Sequence, residues 1–450
     1  MENATRVIVA LAAGRPRLYL HAVRSKEWIY EAAVRAAIPA LRIAAPLNER
    51  LRRGVQGRRS SVHSLHAWAN AHRDVSRPLL WLHAPSVGEA LMTQAILAAA
   101  QAARPDLQSI FTYFSPSAER IAPRVGADWH GYLPWDRTAD VHAALDAARP
   151  RCVAFVRTEI WPVLVREAAA RQVSVLMVNG VMSPDSSRLG RGARMLLGEA
   201  YRRLDAVGVV SAEDAACFAL LGIDRTRLII TGDARFDQVW QRVQQIDRNR
   251  PLLRPFRAHG GPWLVCGSTW TADEDHLIAA MKSSPGWRAV IAPHEPTEEH
   301  VERLEQRLTE AGLKHMRLPA DAGDAAVIGP DVDVVVVDRV GVLADLYAIA
   351  DVAYVGGGFG TAGLHSVVEP AALAVPVVYG PRLGNAREAE RLRQAGGGFV
   401  AGDGALLTAV LRRLFADADV RTHAGAAAQR FVERDQGGAQ ASARLILDRL

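Results

Sequence analysis

Val352 to Pro381 reads VAYVGGGFGTAGLHSVVEPAALAVPVVYGP. A β-branched and aromatic run enters a cluster of glycines. A loop carrying His365, Ser366 and Glu369 follows, then a small-residue helix and a second apolar run ending in Gly380-Pro381. Strand, glycine-rich turn, helix and strand are the parts of a βαβ unit. Glycines there let the backbone approach a ligand, and a helix N-terminus offers unpaired N–H groups to an anion. The spacing is neither G-x-G-x-x-G nor a P-loop, so neither fingerprint applies. The plainer reading is a tight turn in a parallel sheet that needs glycine only sterically.

Outward from this unit, the chain repeats its pattern. Its 450 residues exceed one comfortable core, so two domains are expected. With 49% hydrophobic and 23% charged residues, it has the composition of a folded globular protein. Net charge is +6 with arginine dispersed, which does not indicate nucleic acid but leaves an anionic or nucleotide substrate open. Cys152, Cys217 and Cys266 are far apart in or beside apolar runs, neither a disulfide framework nor a metal knuckle, and fit a reducing compartment. Val7 to Ala13 is apolar but too short to span a bilayer. Trp28 to Leu47 is apolar over most of its circumference yet carries Glu31, Arg35 and Arg42, as expected of a helix lying at a bilayer surface with its basic side chains on lipid phosphates. Packing on the protein's own core is the competing reading.

Residues 48–77 are basic and poor in pattern and read as a linker or a positively charged approach. Strands are then expected over 78–83, 108–114, 130–134, 151–156, 174–179, 206–210 and 228–231, each leading through a polar turn to a helix, with 118–125 among the helices. Residues 241–261 form the junction, after which strands return at 263–266, 287–292, 332–337, 352–355, 377–380 and 397–400. β-then-α at this spacing predicts open parallel sheets covered by helices. The expected divisions are a membrane-associating segment (1–47), an N-terminal Rossmann-like domain (48–240), a linker (241–261), a second Rossmann-like domain (262–426), and a C-terminal helix (427–450) that packs back across the boundary.

No spacing suits a metal cluster or a nucleophile elbow. Candidate ligands for an anionic nucleotide are Ser268, Thr269, His294, His365, Ser366 and the glycine amides near them, Gly358 included. Glu369 repels an unshielded phosphate and better accepts hydrogen bonds from sugar hydroxyls. Catalysis then falls to the other domain, where Glu89 and Glu159 follow strands.

The ordered run HAPSVGE (83–89), TYFSPSAERIA (112–122), LPWD (133–136), TEIWP (158–162), VNGVMS (178–183), TGDARFD (231–237), GSTW (267–270) and APHEP (292–296), with the opening segment through Asn385, resembles the 3-deoxy-D-manno-octulosonic acid (Kdo) transferases. The resemblance implies an α/β GT-B fold, two Rossmann-like domains facing across a cleft. It implies inverting transfer of Kdo from the donor substrate CMP-Kdo to a lipid A precursor, without metal or further cofactor, at the cytoplasmic face of the bacterial inner membrane. It assigns CMP to Pro293 and His294, to the Arg339–Leu343 loop with Val340, Gly341 and Leu343, to Glu369 and to Asn385. The acceptor falls to the N-terminal domain, at Ser86, Gly88, Ser115 and Ser117. Oligomeric state stays open. A GT-B nucleotide-sugar epimerase and a non-catalytic CMP-binding homologue are the alternatives.

The departures are local. Asn70 stands nearest the family's usual W-x-E-R-x-G glutamate, and Asn is no base. Arg157 replaces the first Glu of E-T-E-L-W-P, Val342 the Glu of D-T-M-G-E-L, His294 the Arg of P-R-H, and Ser366 the Asn of H-N-P-L-E. Glu89 becomes the first candidate base and Glu159 a second, with an acceptor-orienting role.

Overall fold

The computed structural model describes residues 15–257, 262–319, 328–384 and 386–450, with backbone alone over 15–27. Val7–Ala13, the Gly260-Gly261 pair and Asn385 lie outside the described residues. Two compact units emerge. One runs to Gln238 and takes back Gly437–Leu450; the other holds Val239–Gln436.

The first unit is a seven-stranded parallel sheet: β1 Leu79–Ala84, β2 Gln108–Tyr113, β3 Trp129–Tyr132, β4 Cys152–Val156, β5 Ser174–Gly180, β6 Ala206–Val209 and β7 Leu228–Ile230. Their order is β3-β2-β1-β4-β5-β6-β7. Strand alternation fills two cores. Leu79 and Trp81 enter one face, and Leu80, Leu82 and Ala84 the other, all buried. Each buried leucine here contributes about 1.5–3 kcal/mol, and burial on both faces is why these runs read as unbroken apolar segments. The second unit repeats the plan with β8 Trp263–Thr269, β9 Arg288–Pro293, β10 His315–Arg317, β11 Val334–Val336, β12 Val352–Val355, β13 Val377–Tyr379 and β14 Gly398–Val400, in the order β10-β11-β9-β8-β12-β13-β14. Strand order reverses at β1/β4 and at β8/β12, and parallel sheets of this kind bind ligands beyond the strand ends at such switch points.

Three local expectations change. Residues 48–77 are not a linker: Glu49–His72 is a 24-residue helix, started by Asn48, whose side chain accepts the Leu51 N–H (3.0 Å). Its buried face is Gly54, Val55, Arg58, Ser61 and Leu65, and small and charged residues hid the apolar period. At Gly57 a Cβ would sit 2.1 Å from the Tyr132 ring, so the helix needs glycine there to reach β3. Residues 118–125 form 3-10 turns, Pro116–Ala118 and Ala122–Val125, rather than a helix. The short edge strand β10 went unread, being half-buried with two basic residues of three.

The helix Arg15–Ala44 precedes all this and is pinned by Glu31, which is buried. Its carboxylate accepts the Thr138 N–H (3.1 Å) and hydroxyl (2.9 Å) and pairs with Arg35 (2.8 Å), so it caps the helix Thr138–Ala148 from outside. Burial pushes its pKa up, but the Thr138 and Arg35 bonds outweigh that and hold it at about 2. Arg35 is therefore engaged with the protein. Trp28, Ile29 and Ile43 of the helix, and Leu47 in the turn after it, are exposed. No described helix is long and apolar enough to cross a membrane.

At the other end, Asp237 accepts the N–H groups of Gly437 (2.8 Å) and Ala439 (3.0 Å), capping the helix Gly438–Leu447. Gly438 lies so close to the chain at Asp233 that a Cβ would come within 2.6 Å of its carbonyl carbon.

Glu31→Ala removes a cap and leaves Thr138 donors unpaired, so it should cost about 1–3 kcal/mol in urea unfolding at pH 7. A folded pKa below the unfolded value stabilises above about pH 4.5, and that advantage is lost as pH falls towards 2, so the variant and parent should converge over that window. Asp237→Ala should free the last helix, read as new limited proteolysis around residues 434–438; an unchanged digest would refute the capping role.

Candidate functional sites at the strand ends

In the second unit, β8 runs through Ser268 and Thr269 rather than ending before them, with a register shift against β9 and a left-handed Ser268 (φ 53°). Thr269 is fully buried and gives its hydroxyl to Glu274 (3.0 Å). Glu274 also pairs with His300 (2.9 Å) and Arg307 (3.1 Å). The Thr269 hydroxyl thus serves the fold and is not offered to a ligand.

The glycine-rich loop after β12 also turns inward. Its Gly357 N–H donates to Asp273 Oδ2 (2.8 Å) and its Phe359 N–H to Asp273 Oδ1 (3.4 Å), while Gly356 N–H goes to the Gly267 carbonyl (2.9 Å). Asp273 further accepts the Tyr354 hydroxyl (2.7 Å) and the Trp270 N–H (3.0 Å). The Gly357 and Phe359 amides hold a buried carboxylate and the Gly356 amide a backbone carbonyl, so these three are not open to a phosphate. Glycine is needed for contact: Gly357 has φ +96°, and a Cβ on Gly358 would lie 2.6 Å from the Gly380 nitrogen.

What the loop does present is His365. Trp270 Nε1–H donates to His365 Nε2 (3.1 Å), and the rings of Trp270, His294 and His365 stack, with centroids 4.9 Å apart for Trp270–His294 and 4.2 Å for His294–His365. Burial lowers the His365 pKa, and His294 adds to this. The result is a flat aromatic surface with imidazole edges at the ends of β9 and β12, suited to a heteroaromatic base and its phosphate. Pro293 closes β9 beside it. Ser366 is exposed, its hydroxyl accepting the Val368 N–H (3.4 Å) at the start of the five-residue helix Val368–Ala372. Glu369 lies in that helix. Burial raises its pKa, opposed by Arg242 at 3.5 Å. In the loop after β11, Arg339 turns onto the Leu318 and Pro319 carbonyls (2.9 and 2.6 Å), Val340 is exposed, Gly341 has φ +93°, and Leu343 packs on the core.

In the first unit, Ser86 precedes the helix Val87–Ala103 and gives its hydroxyl to Glu89 in the first turn. A Cβ at Gly88 would meet open space. The Pro85 carbonyl accepts Ser115 N–H (2.7 Å) and Phe114 N–H (3.3 Å), joining the loops that carry Ser86 and Ser115; Ser117 bonds to Ser115 (3.0 Å). Glu159 follows β4, with Oε1 3.9 Å from Nε2 of the buried His83. That nitrogen accepts Trp161 Nε1–H (3.0 Å), which leaves the proton on Nδ1, facing Thr112 Oγ1 at 3.1 Å. A Trp–His pair therefore stands at the switch point of each sheet. His83, Trp161, Asp273 and Arg242 were not singled out from sequence. The signal for Asp273 was there, three residues after Trp270 in an acidic helix start. No cluster among the described residues could hold a metal ion.

Two Rossmann-like parallel sheets with these switch points define the GT-B class. The solved structure of UDP-GlcNAc 2-epimerase from Neisseria meningitidis, bound to UDP-GlcNAc, shares the fold with a TM-score of 0.58 and 12% identity, over 82% of this chain and 99% of that one. The family model for 3-deoxy-D-manno-octulosonic-acid transferase (kdotransferase) matches residues 32–238. The 3-deoxy-D-manno-octulosonic acid transferase of Bordetella pertussis is 28% identical over 72% of this chain and 76% of its own, and that of Haemophilus influenzae 24% identical over 70% and 73%. By these matches the chain is similar to the Kdo transferases along most of its length.

Asp273→Ala would strand four donors, each unsatisfied buried group costing about 1–3 kcal/mol. Urea unfolding should show a loss of at least about 3 kcal/mol, with hydrogen exchange accelerating first at 354–360; a smaller loss would mean that the loop holds without this carboxylate.

Proposed function

We infer that the protein transfers Kdo from CMP-Kdo to the glucosamine disaccharide of a lipid A precursor, with inversion and release of CMP. The observation that carries this is the family match over the whole sheet of the N-terminal unit, joined to relatives named as Kdo transferases along most of the chain. An acceptor hydroxyl oxygen attacks the anomeric carbon of Kdo, the bond from that carbon to the phosphate oxygen breaks, and CMP departs with the electron pair. The hydroxyl proton passes to Glu89. The Ser86 hydroxyl bonded to that carboxylate supports this role by fixing its position at a strand end. Glu159 orients the acceptor, with Ser86, Gly88, Ser115 and Ser117 lining its approach.

On the donor side, the Trp270–His294–His365 surface takes the nucleotide, the 340–343 loop lies over it, and Glu369 accepts ribose hydroxyls. A raised pKa on Glu369 suits a carboxyl that meets hydroxyls rather than phosphate. The helix Arg15–Ala44 rests on the cytoplasmic face of the inner membrane. Support comes from Trp28, Ile29, Ile43 and Leu47, large apolar side chains exposed on this helix and the turn after it.

Incubating the purified chain with CMP-Kdo and a tetra-acylated, phosphorylated glucosamine disaccharide should yield CMP and a lipid heavier by one or more Kdo units. No product across acceptors of differing acylation would overturn the activity. Glu89→Gln should lower kcat by about 10²–10⁴-fold while CMP affinity stays near the parent's. Undiminished turnover would take the base role from Glu89.

A further inference from the structure

A cavity of about 530 Å³ lies within the N-terminal unit; pockets that hold small ligands span about 300–1,000 Å³. Leu41 of the first helix, Leu51 and Val55 of the second, Phe114 after β2 and Trp135 give it an apolar lining. Arg58 stands in its wall, 7% exposed. The guanidinium lies 3.9 Å over the Phe114 ring and 5.3 Å from the rings of Tyr132 and Trp135. It donates to the carbonyls of Gly54 (2.9 Å) and Phe114 (2.7 Å), using two of its five N–H donors. Among the described residues, no carboxylate stands within ion-pair distance of it. Burial lowers its pKa to about 10, against the pull of Tyr132 and Glu159, so it remains charged at neutral pH.

A buried cation without a counter-ion is costly, and an entering phosphate would relieve that cost through charge-assisted bonds to the remaining donors. Arg50, which also lines the cavity and reaches Ser115 (3.4 Å), adds a second cation. An apolar lining with two guanidiniums fits an anionic amphiphile better than a soluble sugar. The source is a lipid surface. Leu41 belongs to the helix whose end exposes Ile43 (79%) and Leu47 (88%), immediately before Asn48, itself in the cavity lining. The exposed apolar side chains thus adjoin the pocket.

We propose that this cavity receives an acyl chain of a phosphorylated glycolipid, with Arg58 and Arg50 on its phosphate. The identity of the glycolipid rests on the acceptor reading above. The test is equilibrium binding to the full chain, without donor, of a tetra-acylated, bis-phosphorylated glucosamine disaccharide. The same disaccharide without acyl chains, the same lipid without phosphates and inorganic phosphate serve as comparators. The intact lipid should bind about tenfold or more tightly than either truncated form, and inorganic phosphate should not displace it. Leu51→Trp, which fills the cavity, should weaken lipid binding by a similar factor while keeping the parent's thermal midpoint. Equal affinity for the deacylated disaccharide overturns the proposal, as does a folded Leu51→Trp variant that binds the lipid as the parent does. If that variant does not fold, the comparison on the unmodified chain decides alone. Because binding is read without turnover, a chain that binds lipid in this way but transfers no Kdo overturns the function and leaves the cavity assignment standing.

Discussion

Asp273 is the point on which the second unit turns. A fully buried carboxylate takes the N–H groups of Trp270, Gly357 and Phe359 and the Tyr354 hydroxyl. It thereby fastens the start of one helix to β12 and to the glycine-rich loop at the place where strand order reverses. Parallel strands end in loops whose amides have no ladder partner, and a buried carboxylate is a compact way to satisfy several at once. With those amides committed, the loop can be tight enough for Gly358 to touch Gly380 and still hold His365 against Trp270.

The first unit uses the same device repeatedly. Asp136 accepts the Val163 and Leu164 N–H groups (3.0 and 2.9 Å) at the start of the helix Pro162–Ala170. Burial raises its pKa to about 6 against those bonds. Asp214 holds the Met182 N–H (2.8 Å), and Asp237 the start of the last helix. Asp136 and Asp237, both within motifs that carry the resemblance, therefore work on the backbone.

Other positions carry the departures from the commoner family pattern. Arg157, Val342 and Ser366 fall in loops after strands, apart from the aspartates that hold the backbone. In the N-terminal unit, the segment that lacks the usual glutamate is an ordered helix whose Arg58 is buried among three aromatic rings. Its character there is cationic and apolar rather than acidic.

The parallel two-sheet architecture was legible in the chain because strands buried on both faces read as unbroken apolar runs, with polar turns and glycines between them. The strand ends carrying Glu89, Glu159, His294 and His365 followed from that pattern. The glycine-rich segment was correctly placed as a strand–turn–helix–strand unit, but composition cannot say which way an amide points, and the buried Asp273 decided it. Thr269 was equally undecidable: a hydroxyl at a strand end serves either a ligand or a neighbour such as Glu274. The helix Glu49–His72 escaped because its buried face uses glycine, serine and arginine, whose burial depends on Tyr132, Phe114 and Trp135 far along the chain. Local pattern determined most of the strands and helices; the packing of distant segments determined the rest, and which polar groups are spent on the fold.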